Sequence, residues 1–436
     1  VVAVRVWPWN SINSLLLRAG RIFDAGADII ELKGLPFRVY CFRNPEHIEQ
    51  IFKDPQVGGT KNPKLLDRLK WAMPRSGVVL KGGQEWRERR RQVQSAFKSQ
   101  KLAKFAGCVA PLVNEMLAGW KAFEGRQEGF DLSHEMHNLI TRLAFKMYFS
   151  EDLMGSELDR IAYESHYIEF NFVRRTPLFI PTPANLKFKK YVHNLQRTLQ
   201  ALIDERRASK AEHDDLLATM VNLHDASTNQ PWPDREIVAE TFNVYIATCL
   251  LGTSLCWSLY LLSQNPEVQD RLRAEARAVL GDRLPVVEDL ANMPYSEMVM
   301  DEILRRFPSS WGLPRLCEQG MTIGSLRVPP GSMVIPMVYF VHHHRGLWDD
   351  PQRFDPERFS PENRKKIGTF SYFPYGRGER TCLGVNLAPL IVRQILAMIC
   401  RDYRVTFQPQ HPRDPVIDIA FEIHPRDKMM FSIERC

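Results

Sequence analysis

The 436-residue sequence has no C-x-x-C pair among its eight cysteines (41, 108, 249, 256, 317, 382, 400 and 436), which argues against a structural zinc or iron–sulfur site. The cysteines follow no paired spacing and mostly sit in apolar sequence, so no disulfide framework is expected and a reducing, cytoplasmic setting is. There is no low-complexity block, no internal repeat and no recognisable signal peptide. Net charge is only +7, and the basic residues are not interleaved with aromatics, so nucleic acid is not an expected partner. Flavin and ferredoxin motifs are also missing, so any redox chemistry would need electrons from outside the chain. The sequence begins at Val1 without Met, as a truncated N-terminus would.

What is present is a long, mostly helical pattern with a small β portion and no clean internal boundary, read as one domain over 1–436. Helices are expected at Pro45–Lys53, Glu85–Phe105, Val109–Phe123, Leu132–Phe149, Leu186–Lys210, Asp234–Leu262, Pro266–Leu280, Val287–Phe307 and Val385–Cys400. Arg38–Phe42 alternates as a strand, and Met321–Tyr339 reads as a hairpin and strand with Pro-Pro-Gly turn chemistry. The Pro-rich run Arg174–Asn185 marks a long loop. Asn243–Leu262 is as long and apolar as a membrane span. It lacks flanking basic anchors and carries polar residues on several faces, so a buried central helix is the expectation, with no transmembrane helix.

The most informative segment is Tyr375-Gly-Arg-Gly-Glu-Arg-Thr-Cys-Leu-Gly384. Glycines close to Cys382 let backbone amides approach its sulfur, and Arg380 supplies positive charge that keeps a thiolate ionised. That combination suits a cysteine that ligates haem iron. Glu302 and Arg305 lie three apart on one helical face, and Arg358 follows in Pro-Glu-Arg-Phe. One carboxylate between two guanidiniums can lock a helix to an irregular segment. Trp86 and Arg90 are four apart on another helix, and Arg315 follows two prolines.

In this order the segments resemble the cytochrome P-450 family of haem-thiolate monooxygenases, in its soluble bacterial form, from about residue 35 to the C-terminus. The cysteine loop matches F-x-x-G-x-R-x-C-x-G with Tyr375 in place of Phe, and E-x-x-R and W-x-x-x-R are both matched. The resemblance implies the P-450 fold, haem b, and Cys382 as axial ligand and so the metal-binding residue. It implies Trp86, Arg90, Arg315 and Arg380 at the haem propionates, with Ala247, Tyr375 and Gly384 also at the cofactor. Glu302, Arg305 and Arg358 would be structural.

Aligned on Trp257, Ile246-Ala247-Thr248-Cys249-Leu250-Leu251 stands where the family reads A-G-x-[DE]-T-T. Cys249 and Leu250 thus replace the acid–alcohol pair that relays protons during O–O cleavage. Thr253, one turn on from Leu250, could hold a replacement water or simply pack in the helix. Three consequences stay open. The chain could be an oxygenase relying on ordered water, a peroxide isomerase or dehydratase that needs no proton delivery, or a variant, natural or engineered, that directs oxygen onto alkenes to give epoxides or carbonyls. A non-enzymatic haem or ligand-binding protein is a further alternative.

By analogy, Leu69, Met73, Phe172, Ile246, Leu250, Leu251, Trp311, Leu313 and Met430 would line a pocket for a small or medium apolar substrate, with dioxygen as co-substrate. Arg87, Arg89, Arg91, Lys98, Lys101, Lys104 and Arg377 suggest a basic proximal face for an acidic flavodoxin-like reductase or ferredoxin. A reductase domain fused to this chain would serve equally. His342-His343-His344, read as an extended segment, would point to alternate faces and not converge on one ion.

Overall fold

The computed structural model describes residues 1–5, 12–35, 37–54, 57, 77–97, 99–126, 128–172, 178–209, 213–225, 228–408, 417–419, 422–425 and 428–436. Helices dominate. The chain opens with β1 (Val2–Arg5), α1 (Ile12–Asp24), β2 (Ile29–Lys33), β3 (Val39–Phe42) and α2 (Pro45–Lys53). Asn44 caps α2 by accepting from the amides of Glu46 and His47, with Pro45 in the first turn. Next come α3 (Gly83–Gln94), α4 (Ser99–Gly107), α5 (Val109–Trp120), β4 (Phe130–Asp131), α6 (Leu132–Phe149), α7 (Gly155–Asn171), α8 (Pro183–Ala208) and α9 (Leu216–Val221). The expected helix Glu85–Phe105 is broken by a 3-10 turn at Ser95–Phe97. In the Pro-rich run the helix starts earlier than expected, because Thr182 caps it through the Asn185 amide and Pro183 fits its first turn.

The 31-residue helix α10 (Asp234–Gln264) packs against α6, α7, α8 and β9 (Tyr403–Phe407). It is long and apolar enough to cross a membrane, but most of its apolar stretch is buried by these neighbours, as expected of a central helix. There follow α11 (Pro266–Leu280), α12 (Pro294–Arg306), β5 (Arg315–Cys317), β6 (Met321–Ile323), β7 (Leu326–Val328), β8 (Ser332–Pro336), α13 (Val338–His342), α14 (Pro361–Arg364) and α15 (Ala388–Asp402). β10 (Ile417–Ile419), β11 (Ile423–Pro425) and β12 (Met430–Arg435) close the chain.

The β portion is a five-stranded sheet in the order β1-β2-β3-β8-β5, a three-stranded sheet β4-β12-β9, and hairpins β6-β7 and β10-β11. The hairpin expected after Met321 is there, turning at Gly324 with φ +55°. The main core lies between α5, α6, α8, α10, α12 and α15, where Trp120, Tyr148, Tyr245 and Trp257 are almost fully buried. Helix α7 and strand β2 were not expected. The buried face of α7 includes Glu164, Ser165, Glu169 and Asn171, so its sequence lacks a clean apolar stripe.

Candidate functional site

The cysteine loop leads into α15, and two of its glycines adopt left-handed backbone, with φ of +71° at Gly376 and +74° at Gly378. That curl brings the Cys382 amide onto the Tyr375 carbonyl at 2.9 Å. Five cysteines are buried, whereas the Cys382 side chain is exposed. A Cβ added at Gly384 would stand 3.8 Å from its sulfur.

Three arginines gather at this loop. Arg90 on α3 donates to the Thr381 carbonyl; burial lowers its pKa, and the charge at Cys382 only partly offsets this. Arg380 lies over the Trp86 ring at 4.0 Å and donates to the Lys81 carbonyl at 2.7 Å. Burial, together with repulsion from Arg315 and Arg90, lowers its pKa to about 9. Arg315 in β5 is buried, and desolvation lowers it to about 10. Trp86 itself is buried. Tyr375 is half-buried, and its phenol is pushed up by burial and by the charge at Cys382. Mutually repelling guanidiniums around an exposed thiol fit a flat group that carries two carboxylates and a metal.

A buried lattice supports the loop from behind. Arg305 pairs with Glu302 through two bonds of 2.6 and 2.7 Å, and both side chains are fully buried. Arg305 also donates to the carbonyls of His342, Pro351 and Arg353. Glu302 accepts from the Asp355 amide, and Arg358 Nε lies 3.6 Å from it. His342 Nε2 accepts from the Phe373 amide at 3.1 Å, tying the lattice to the segment before the cysteine loop. Burial lowers His342 to about 3, so the ring is neutral and can accept. The three consecutive histidines are not extended: His342 ends α13, while His343 Nδ1 contacts the Tyr339 carbonyl and His344 Nδ1 accepts from Gly346. The rings thus have separate partners, for a reason other than strand alternation.

Helix α10 presents two unlike faces. Ala247 is exposed and Leu250 and Leu251 are half-buried, whereas Cys249, Thr253 and Cys256 are buried on the other side. The Cys249 thiol lies by Glu169 and Tyr245, and burial pushes it up. Thr253 Oγ1 donates to Glu422 at 2.8 Å, so its hydroxyl is engaged there and not on its own backbone. Thr248 does bond its own helix, at Val244, and also meets the Tyr148 hydroxyl.

Of the other pocket residues expected, Leu69 and Met73 lie outside the described residues. Ile246 is buried, and Trp311 is half-buried. Leu313 is half-buried and approaches Gly376, within 3.3 Å of where a Cβ would stand. Phe172 instead packs edge-on against Phe188 in the core, and Met430 sits in β12 opposite Asp131. The basic stretch is not one free face. Arg89 is buried over Trp232 and pairs with Glu236 and Glu240. Arg87 pairs with Glu379, and Lys101 and Lys104 share Asp214. Arg91 and Arg377 are exposed, and Lys98 lies outside the described residues. Sequence reasoning did not single out Glu169, Glu422, His137 or His166, because each is isolated in the sequence.

The family model for Cytochrome P450 matches residues 23–428. Cyclooctat-9-en-7-ol 5-monooxygenase of Streptomyces melanosporofaciens is 30% identical over 391 residues, covering 87% of this chain and 83% of the relative. Pentalenene oxygenase of Streptomyces avermitilis is 26% identical, covering 92% of this chain and 89% of the relative. Among solved structures, retinoic acid-bound cyanobacterial CYP120A1 superposes with a TM-score of 0.84 at 20% identity, over 95% of this chain and 93% of that one. The heme domain of cytochrome P450DA gives 0.85 at 18% identity, over 98% and 94%. The chain belongs to the cytochrome P450 family: it has the P450 fold and is a monooxygenase that carries haem on an axial cysteine thiolate. The exposed thiol and the three crowded arginines fit that group.

Proposed function

We propose that Cys382 is the axial ligand and that this chain oxygenates a small or medium apolar molecule with externally supplied electrons. The carrying observation is the convergence of Arg90, Arg315 and Arg380 on the loop that holds an exposed Cys382. With Trp86, these arginines hold the two propionates, whose buried charge needs paired cations. When bound, haem supplies an iron centre that activates dioxygen. Glu302, Arg305 and Arg358 keep the cysteine loop in register, and Tyr375 and Gly384 border the ligand.

Ala247, Leu250 and Leu251 form the distal wall, with Ile246 beside it, and Trp311 and Leu313 extend the pocket. This wall excludes water and favours neutral, apolar substrates. Leu250 cannot hold or pass a proton, and Cys249 faces away from the wall, so proton delivery rests on water. That favours outcomes other than simple hydroxylation, including epoxide or carbonyl formation from an alkene. The relatives' names, which point to cyclooctat-9-en-7-ol and pentalenene, agree with a largely apolar substrate that carries an alkene. Arg91 and Arg377 would meet an acidic flavodoxin-like or ferredoxin donor in a cytoplasmic setting.

A second reading, peroxide isomerisation or dehydration, is favoured by the missing acid–alcohol pair. Product formed in step with reductant and oxygen consumption supports the oxygenase, and turnover of a peroxide without reductant supports the isomerase. The reduced, carbon monoxide-bound spectrum of wild type and Cys382→Ala tests ligation directly. An unchanged thiolate band in the variant refutes it.

A further inference from the structure

Behind α10, on the side opposite Ala247 and Leu250, four elements bring polar side chains together: His137 from α6, His166 and Glu169 from α7, Thr253 from α10, and Glu422 beside β11. Ligand atoms of His137, His166 and Glu169 all lie within 4.8 Å of one another. The two rings are 4.1 Å apart, centroid to centroid. Glu169 is completely buried, and neither of its carboxylate oxygens has a hydrogen-bond partner; the neighbouring Cys249 thiol offers only a weak donor. Glu422 is also buried, and its Oε2 lacks a partner while Oε1 accepts from Thr253. Two buried carboxylates this short of donors need a cation or a proton.

The histidines favour the cation. His137 Nδ1 meets the Ser133 carbonyl at 2.6 Å, which fixes the tautomer and leaves Nε2 on the cluster side, 3.5 Å from Thr253 Oγ1. An imidazole held this way by a backbone carbonyl is the usual second-shell arrangement of a metal-binding histidine. His166 Nδ1 is buried, has no hydrogen-bond partner, and lies 4.0 Å from Glu169 Oε2. A surface cavity of about 510 Å³ reaches His137, His166 and Thr253, with Asp131, His134, Asp159 and Lys428 also in its wall, giving a cation a way in past two carboxylates.

We propose that His137, His166 and Glu169 form a binding site for a zinc-class divalent cation, separate from the cysteine loop. Two imidazoles and a carboxylate are a recognised zinc donor set. Zinc ligands at about 2.0–2.2 Å stand roughly 3.3–3.6 Å apart, so side-chain rotations on the order of an ångström close the set. Glu422 lies alongside as a compensating carboxylate, and water from the cavity takes the remaining position. The ion links α6 to α7.

The test uses haem-loaded full-length protein equilibrated with zinc chloride, desalted, and analysed for zinc and iron by plasma mass spectrometry. Wild type is expected to retain one zinc per chain, and its thermal midpoint to rise on zinc addition. Glu169→Gln and His166→Ala should bind zinc at least 10–100-fold more weakly, about the effect of losing even a second-shell partner, with the haem spectrum intact. His134→Ala, on the cavity wall but outside the ligand set, should keep the zinc. The proposal is overturned if wild type retains only substoichiometric zinc with no thermal shift, or if both ligand variants retain as much as wild type. Should Glu169→Gln lose its haem spectrum, His166→Ala and the wild-type result decide.

Discussion

Replacing Arg305 with methionine removes the hub of the buried lattice behind the cysteine loop. Its partner Glu302 is fully buried, so the variant strands a carboxylate with only the Asp355 amide and the more distant Arg358. Breaking a buried pair by removing one member costs about 3–5 kcal/mol. Arg305 also serves three carbonyls, at His342, Pro351 and Arg353, and each acceptor left without a donor adds about 1–3 kcal/mol unless water reaches it. The expected loss therefore exceeds 4 kcal/mol by roughly this reckoning, a large share of the 5–15 kcal/mol typical of a folded protein. Glu302→Leu should cost less, since it leaves the three carbonyl bonds in place. Because His342 also accepts from Phe373, damage should reach the cysteine loop first. Urea titrations followed by both far-ultraviolet circular dichroism and the haem absorbance test this. In Arg305→Met the haem signal should be lost at lower urea than the helical signal. A loss under about 1 kcal/mol, the range of an exposed ion pair, would refute the reasoning.

Four other substitutions have defined outcomes. Burial raises the Glu240 carboxyl from 4.5 to about 7, although it accepts from the Val78 amide and faces Arg89. A raised folded pKa means the neutral form fits best, so its contribution is complete below pH 4.5 and is lost as pH rises to about 7, up to roughly 3 kcal/mol. Glu240→Gln should flatten that part of the stability–pH curve, and an unchanged slope counts against it. Leu250→Thr should raise product formed per reductant consumed, whereas Cys249→Glu should not, because the new carboxylate would sit beside buried Glu169 and cost several kcal/mol; coupling assays and denaturation midpoints separate the two. Gly252→Ala should destabilise by about 1–3 kcal/mol despite alanine's better helix propensity, because its Cβ would stand 2.9 Å from His137 Cδ2; a raised urea midpoint contradicts this.

Much of this was readable from residue order. Glu302, Arg305 and Arg358 do form one network, and Trp86, Arg90, Arg315 and Arg380 gather near the Cys382 loop; they were legible because their short segments, taken in order, match motifs of the family the sequence resembles, and none was informative alone. The helices that read well, such as α6 and α10, bury apolar side chains. Helix α7 did not read, because its inner face carries Glu164, Ser165 and Glu169, and hydrophobic periodicity does not register buried polar residues. The basic stretch was over-read for a related reason: the acids that neutralise it, Glu236, Glu240, Asp214 and Glu379, are distant in sequence. Side-chain direction on α10 was likewise hidden. Thr253 is only three positions from Leu250, yet a carboxylate from the last hairpin claims its hydroxyl.

The division of α10 into two faces has a practical consequence for anyone reshaping this protein. At 1.5 Å per residue its 31 residues form a rod about 46 Å long. Residues 247, 250 and 251 lie along one side, while 249, 253 and 256 lie along the other. Libraries aimed at product selectivity can be confined to the first set and those aimed at robustness to the second. Combining distant members of the two sets, such as 247 and 256, should give nearly additive effects, whereas 249 with 250 and 250 with 253 are close enough to couple.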